Sequence, residues 1–299
     1  MAAETEPPFA LRDAAVTVVG LGLIGGSLAW ALRARQLCRQ VGGVTRRPEG
    51  MAEALTRGVV DSATTDLAAG VGGADIVVLA APVRTILRQI PLVAPWLKPG
   101  CVLLDVGSTK EAIVAAMAQL PSHVQPVGGH PMCGKEKSGL AAADPALFEG
   151  APFVLTPLAR TAPEAVTLAK EMARGVGAYP IILEPRRHDR LVAAVSHLPY
   201  LLSAALMSVA CQVGGADGAL WALAASGFHD TSRLAASDVQ MMADILLTNR
   251  QAVGEMAQLC CAALEQLAAM IASGDETALK ETLSPLQAQR GGMFQGGRS

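Results

Sequence analysis

The sequence predicts an α/β protein: a doubly wound parallel sheet through roughly the first 185 residues, followed by an all-helical region. Three observations carry this. Short β-branched runs alternate with Ala- and Leu-rich helical stretches, a glycine-rich turn follows the first run directly, and the β-branched runs stop near Pro185.

The first run is Val16–Val19. After the glycine turn, Ser27–Gln36 has helical periodicity. Further apolar runs follow at Val41–Thr45, Ile76–Ala81, Val102–Val106, Phe153–Leu158 and Ile181–Leu183. Most are continuous and not alternating, as strands covered on both faces should be. Beyond Pro185, residues 187–213, 217–227, 237–271 and 275–289 read as helix, broken at Gly214–Gly215, Gly227 and Ser273–Gly274.

Composition narrows the function. Hydrophobic residues make up 51% of 299, and charged residues 17%, which suits a globular chain with a large core. Against 26 acidic residues stand 24 basic ones, a formal net charge of −2, with no basic cluster that would suit nucleic acid. Six cysteines without CxxC spacing read as reduced thiols in a cytoplasmic protein. The start MAAETEPPFALRD is acidic and does not read as a signal peptide. Residues Leu191–Ala216 carry no Asp, Glu, Lys or Arg, long enough to span a bilayer. Polar residues inside the stretch (Ser196, His197, Ser203, Gln212) and the charged run Arg186–Arg190 before it argue against a membrane. The expectation is a helix buried on all sides, inside the protein or in a dimer interface.

The glycine turn carries the cofactor signal. Gly20-x-Gly22-x-x-Gly25 lies directly between a strand and a helix. In a Rossmann-type fold the first glycine permits the tight turn, the second lets a pyrophosphate approach the backbone, and the third allows close helix–strand packing. The helix start then offers free N–H groups to phosphates. About 20 residues on, where NAD-preferring folds place an acid on the ribose, stands Gly43-Val44-Thr45-Arg46-Arg47. Two guanidinium groups suit a 2′-phosphate, so NADP is expected; the plainer alternative is that they solvate a loop. Gly20, Gly22, Leu23, Ile24, Gly25, Thr45, Arg46, Arg47 and Pro82 make up the expected cofactor contacts. The domain division follows: residues 1–12 a flexible tail, 13–185 the dinucleotide-binding domain, 186–290 a helical domain and 291–299 a second flexible tail.

Two further segments carry polar residues that a core does not need. One is Asp105-Val106-Gly107-Ser108-Thr109-Lys110, and the other runs Gly128-Gly129-His130-Pro131-Met132-Cys133-Gly134-Lys135-Glu136-Lys137-Ser138-Gly139. Ligands of open α/β sheets bind outside the carboxyl ends of the strands. A histidine in a turn there, with a pKa near operating pH, suits a general base, and Ser108 could orient it. From these residues alone, a structural histidine in a turn fits equally well.

The blocks GLGLIGGSL, DVGSTK, GGHPMCGKEKSG, SHLPY and GFHDTSR, in this order over roughly residues 15–285, resemble the prephenate/arogenate dehydrogenase family of tyrosine biosynthesis. GVTRR resembles its NADP-using branch, which commonly prefers arogenate. The resemblance implies an oxidative decarboxylation: L-arogenate and NADP give L-tyrosine, NADPH and carbon dioxide, with prephenate the alternative substrate. It implies that His130 accepts the proton of the C4 hydroxyl and that Ser108 hydrogen-bonds both His130 and that hydroxyl. It places His197 and Arg233 at the substrate, Arg233 on a carboxylate, and it implies a homodimer built by the helical domain. His188 and His229 are less clearly placed. Lys135, where the family often has Thr, stands beside the substrate pocket, and Cys133 replaces a small residue. A metal has no supporting ligand spacing. Other NADP dehydrogenases, or an NADP-sensing protein without catalysis, would share the glycines but give no reason for GGHP and SHLP together.

Overall fold

The computed structural model describes residues 10–215 and 217–293. The expectation of flexible tails falls largely outside them, at residues 1–9 and 294–299. Where it does not, it fails: Leu11–Asp13 form a 3₁₀ turn with Leu11 buried, and residues 291–293 continue the last helix.

The chain divides into two compact units, Met1–Arg250 and Gln251–Ser299. The first is built on an eight-stranded sheet with order β3-β2-β1-β4-β5-β6-β7-β8. Its early elements are β1 (Ala15–Val19), α1 (Leu23–Ala34), β2 (Gln40–Val44), α2 (Pro48–Thr56), β3 (Ser62–Thr64) and α3 (Leu67–Val71). Then come β4 (Ile76–Leu79), α4 (Val83–Val93), β5 (Val102–Asp105), α5 (Glu111–Met117) and β6 (Gln125–Pro131). β7 (Pro152–Pro157), α6 (Pro163–Gly175) and β8 (Tyr179–Ile182) complete the sheet. All neighbouring pairs are parallel except β6 with β7. The chain therefore reverses strand order between β1 and β4, the switch point at which such sheets open a ligand crevice.

The continuous apolar runs are explained by helices on both faces. Along β4, Ile76 and Val78 enter one core with Leu28, Leu32 and Phe153, while Val77 and Leu79 enter the other with Ile86 and Ile90. Each fully buried side chain of this kind is worth about 1.5–3 kcal/mol relative to exposure.

After the sheet follow α7 (Pro185–Val192), a π-helical turn (Ala193–His197), α8 (Leu198–Gly214), α9 (Ala219–Ala222), α10 (Ser226–Ser232) and α11 (Val239–Thr248). α12 (Arg250–Ser273) and α13 (Glu276–Met293) form the second unit. Two stretches, Pro185–Gly214 and Arg250–Ser273, are long and apolar enough to cross a bilayer by length and composition. The expectation of a helix covered on all sides fails within one chain. In α8 the buried residues are Ser203, Ala210 and Gly214, while Val209 and Val213 are 56% and 71% exposed.

Candidate active site

The glycine turn lies at the carboxyl end of β1, next to β4. Gly20 has φ +100°, and a Cβ there would meet the Ala80 carbonyl oxygen at 2.4 Å. A Cβ on Gly25 would lie 2.0 Å from the Gly20 oxygen. At Gly22, by contrast, nothing stands within 4 Å of the Cβ position, so that face is open to a ligand. Gly22 is also the N-cap of α1 and no side chain caps it, which leaves backbone N–H groups for a pyrophosphate. Leu23 and Ile24 begin that helix, partly exposed. Pro82 is the exposed N-cap of α4, on the same edge. At the end of β2, Thr45 Oγ1 donates to the Arg47 carbonyl at 3.0 Å. Arg46 and Arg47 are exposed, and among the described residues neither guanidinium has a hydrogen bond or ion pair. These residues fit a dinucleotide.

His130 is not on a turn. It sits in β6, paired with Val154 of β7, and is 9% exposed. The two glycines before it are required by close approach: a Cβ would lie 2.1 Å from Thr156 Oγ1 at Gly128 and 2.5 Å from the Asp105 carbonyl oxygen at Gly129. Nor is Ser108 the partner of His130. His130 Nδ1 lies 2.8 Å from His188 Nε2, and Ser108, half-buried just past β5, makes no side-chain hydrogen bond among the described residues. His130 Nε2 has no protein partner there either. Burial first, then the nearby His188, Lys110 and His197, pushes the His130 pKa well below 6.5. Burial thus favours the neutral form of this ring.

Behind these rings lie two buried carboxylates. Asp189 accepts from His188 Nδ1 at 2.7 Å, from the Lys110 backbone N–H at 2.7 Å and from Glu111 N–H at 2.9 Å, capping the start of α5. Asp105 accepts from Gly107 N–H at 2.7 Å, from Gly129 N–H at 3.1 Å and from the Lys110 ammonium. Lys110 and Asp105 are both fully buried. Desolvation pulls the lysine down and the carboxyl up, and their mutual attraction opposes both shifts.

His197 ends the π-helical turn, buried, with Nδ1 3.2 Å from Asn249 Nδ2; the same amide donates to the Asp189 carbonyl at 2.7 Å. Burial lowers its pKa to about 4, with Asp189 opposing and His188 assisting. A substrate contact from His197 therefore has to use the other ring edge. Toward solvent, a cleft is lined by Trp30, Arg57, Lys135, Lys137, Asp144 and Arg233 among others. Lys135 pairs with Asp144 at 2.7 Å, and Arg233 with Glu136 at 3.0 Å. His229, on α10, is exposed. Among the described residues no group of three or more His, Cys, Asp or Glu could hold a metal ion.

Two family models match in succession: the prephenate dehydrogenase nucleotide-binding domain over residues 28–182, and the prephenate dehydrogenase dimerization domain over 184–285. The chain belongs to the prephenate dehydrogenase family. A relative named prephenate dehydrogenase from Bacillus subtilis is 36% identical over 240 residues, 80% of this chain but 65% of its own length. The crystal structure of Synechocystis arogenate dehydrogenase is 34% identical with a TM-score of 0.80, covering 92% of this chain and 98% of that one. A prephenate dehydrogenase from A. aeolicus, solved with hydroxyphenyl propionate and NAD+, is 30% identical with a TM-score of 0.86, over 92% and 96% of the two chains.

For a prephenate dehydrogenase family chain, the sequence reading missed His188 as the partner of His130, and Asp189, Asn249 and Lys110 around it. The signal was present: His188, Asp189, Val192 and Ala193 are all buried at helical spacing. It went unread because two of the four are polar and arginines surround them.

Proposed function

We propose that this chain catalyses the NADP-dependent oxidative decarboxylation of a cyclohexadienol dicarboxylate in tyrosine biosynthesis. The observation that carries the reading is the free Nε2 of His130 at the carboxyl edge of the sheet, on the same edge as the glycine turn. When bound, the nicotinamide supplies a hydride acceptor for C4 of the substrate. His130 Nε2 takes the proton of the C4 hydroxyl. Ser108, whose side chain has no hydrogen-bond partner among the described residues, hydrogen-bonds that same hydroxyl. Carbon dioxide leaves C1 as the ring aromatises, and the proton on His130 returns to the new phenolate oxygen, so none is released overall. Arg233 turns from Glu136 to bind a carboxylate, a charge-assisted contact worth about 1.5–3 kcal/mol. Arg46 and Arg47 hold the 2′-phosphate.

Prephenate is the substrate that the cleft favours. Four cations (Arg57, Lys135, Lys137, Arg233) face two carboxylates (Glu136, Asp144) in the lining. That balance suits the keto acid better than arogenate, which brings an added ammonium group. Arogenate is the second reading, favoured by the arginine pair after β2 and by the likeness to the Synechocystis arogenate dehydrogenase. The exposed apolar residues of α8, together with the dimerization-domain match, support a homodimer; the six cysteines without CxxC spacing are the ground for placing it in the cytoplasm. Steady-state kinetics with both substrates and both dinucleotides tests the proposal. It expects NADP reduction with higher kcat/KM for prephenate; no dinucleotide reduction with either substrate overturns it.

A further inference from the structure

We propose that His188 and Asp189 form a relay behind His130, fixing its tautomer and taking up the charge it acquires. This deepens the proposed reaction and rests on His130 being its base.

The argument follows from donors and acceptors. Both oxygens of Asp189 already accept backbone N–H bonds, from Lys110 and Glu111, so the group facing His188 Nδ1 is an acceptor. His188 Nδ1 therefore carries a proton. In neutral His188 that leaves Nε2 as a bare lone pair. The lone pair lies 2.8 Å from His130 Nδ1, which must donate to it. A neutral His130 whose proton is on Nδ1 has Nε2 unprotonated, and Nε2 is the atom without a protein partner. One buried carboxylate thus sets the protonation of two rings in series and aims a lone pair out of the fold.

The same chain of bonds moves charge. When Nε2 takes the substrate proton, the Nδ1 proton of His130 shifts to His188 Nε2, and the positive charge moves next to Asp189. As the proton returns to the product oxygen, both shifts reverse, and no co-reactant is needed. The other charged or titratable groups around this pair are His197, from the π-helical turn, and the Lys110 ammonium, held by Asp105 of β5. Lys110 opposes a cation on His130, so the favourable field comes from Asp189 through His188. Asn249 fixes the relay from the far side by donating to the Asp189 carbonyl. His188 and Asp189 are fully buried behind His130 and act as positioning residues.

The test is ring ¹⁵N NMR of histidine in the full chain with NADP bound, beside kinetics of His188→Ala, His188→Gln and Asp189→Asn. In the unmodified protein His130 should be protonated on Nδ1 and bare on Nε2. In His188→Ala the other tautomer should become populated, and kcat should fall by about 10²–10³-fold with KM and NADP affinity changed by no more than a few-fold. His188→Gln keeps an acceptor for His130 Nδ1 but cannot take its proton. It should restore the tautomer and recover part of kcat. Asp189→Asn should disturb the tautomer without deleting a ring, and with His188→Gln it carries the test if the Ala variant does not fold. Wild-type His130 protonated on Nε2, or a His188→Ala protein with unchanged kcat or an unchanged tautomer, overturns the relay. A wild-type protein that turns over neither cyclohexadienol sinks the reaction instead, while the NMR still decides the relay.

Discussion

Acidification from about pH 7.5 to about pH 5 should cost this fold roughly 2 kcal/mol through His197 alone. The perturbation acts on a ring whose pKa is lowered from 6.5 to about 4 by burial, and whose Nδ1 faces an amide donor. Below pH 6.5 the unfolded chain binds a proton that the folded chain refuses, so stability falls with pH. At about 1.36 kcal/mol per unit, the loss reaches about 2 kcal/mol near pH 5 and levels off below the folded pKa. His130, lowered for the same reason, adds in the same direction, whereas Asp105, raised by burial, works against it. Asp61 and Asp75 are lowered from 3.8, with hydrogen bonds overcoming burial, and they act below this window. The contribution of His197 is isolated by urea unfolding of wild type and His197→Gln at fixed protein concentration, since a dimer's stability depends on it. The variant should start less stable near neutrality and lose about 2 kcal/mol less on acidification. An identical pH slope in the two proteins would refute the reasoning.

Two further outcomes follow from the same structure. Changing Thr45→Asp with Arg46→Ala places a carboxylate against the 2′-phosphate and removes one guanidinium, so the kcat/KM preference for NADP over NAD should shrink or reverse; wild-type protein using both equally would remove the basis for the assignment. Light scattering at micromolar concentration should show a dimer, because Val209, Val213 and Leu223 (81% exposed) would otherwise face water; a monomer would contradict it.

The parts of the fold legible in the sequence were those where local pattern and tertiary burial agree. β4 and β5 are continuous apolar runs because both faces are covered, and the glycine turn stands where Gly20 and Gly25 leave no room for a Cβ. β3 and β6 were not legible. Ser62–Thr64 has three small or polar residues, and Gln125–Pro131 contains two prolines and two glycines, a composition that reads as loop. Pairing with β5 on one side and β7 on the other makes β6 a strand regardless, and it moves His130 from a turn into the sheet. The site was half legible for a related reason. Residues on one segment could be named from their motif, but the bond from His130 to His188 joins positions 58 residues apart, and nothing local announces it.

The most direct test of the account is the kinetics of His130→Asn. NADP affinity, measured by titration, should stay near wild type, since the glycine turn and the arginine pair are untouched. Because His130 is buried in β6, circular dichroism must first show the variant folded. With substrate saturating, kcat should fall by about 10²–10⁴-fold. In the wild type the acid limb of kcat/KM should lie well below 6.5, following the lowered pKa of His130, and it should vanish in the variant. A folded, NADP-binding His130→Asn protein with wild-type kcat and an unchanged acid limb would contradict the account.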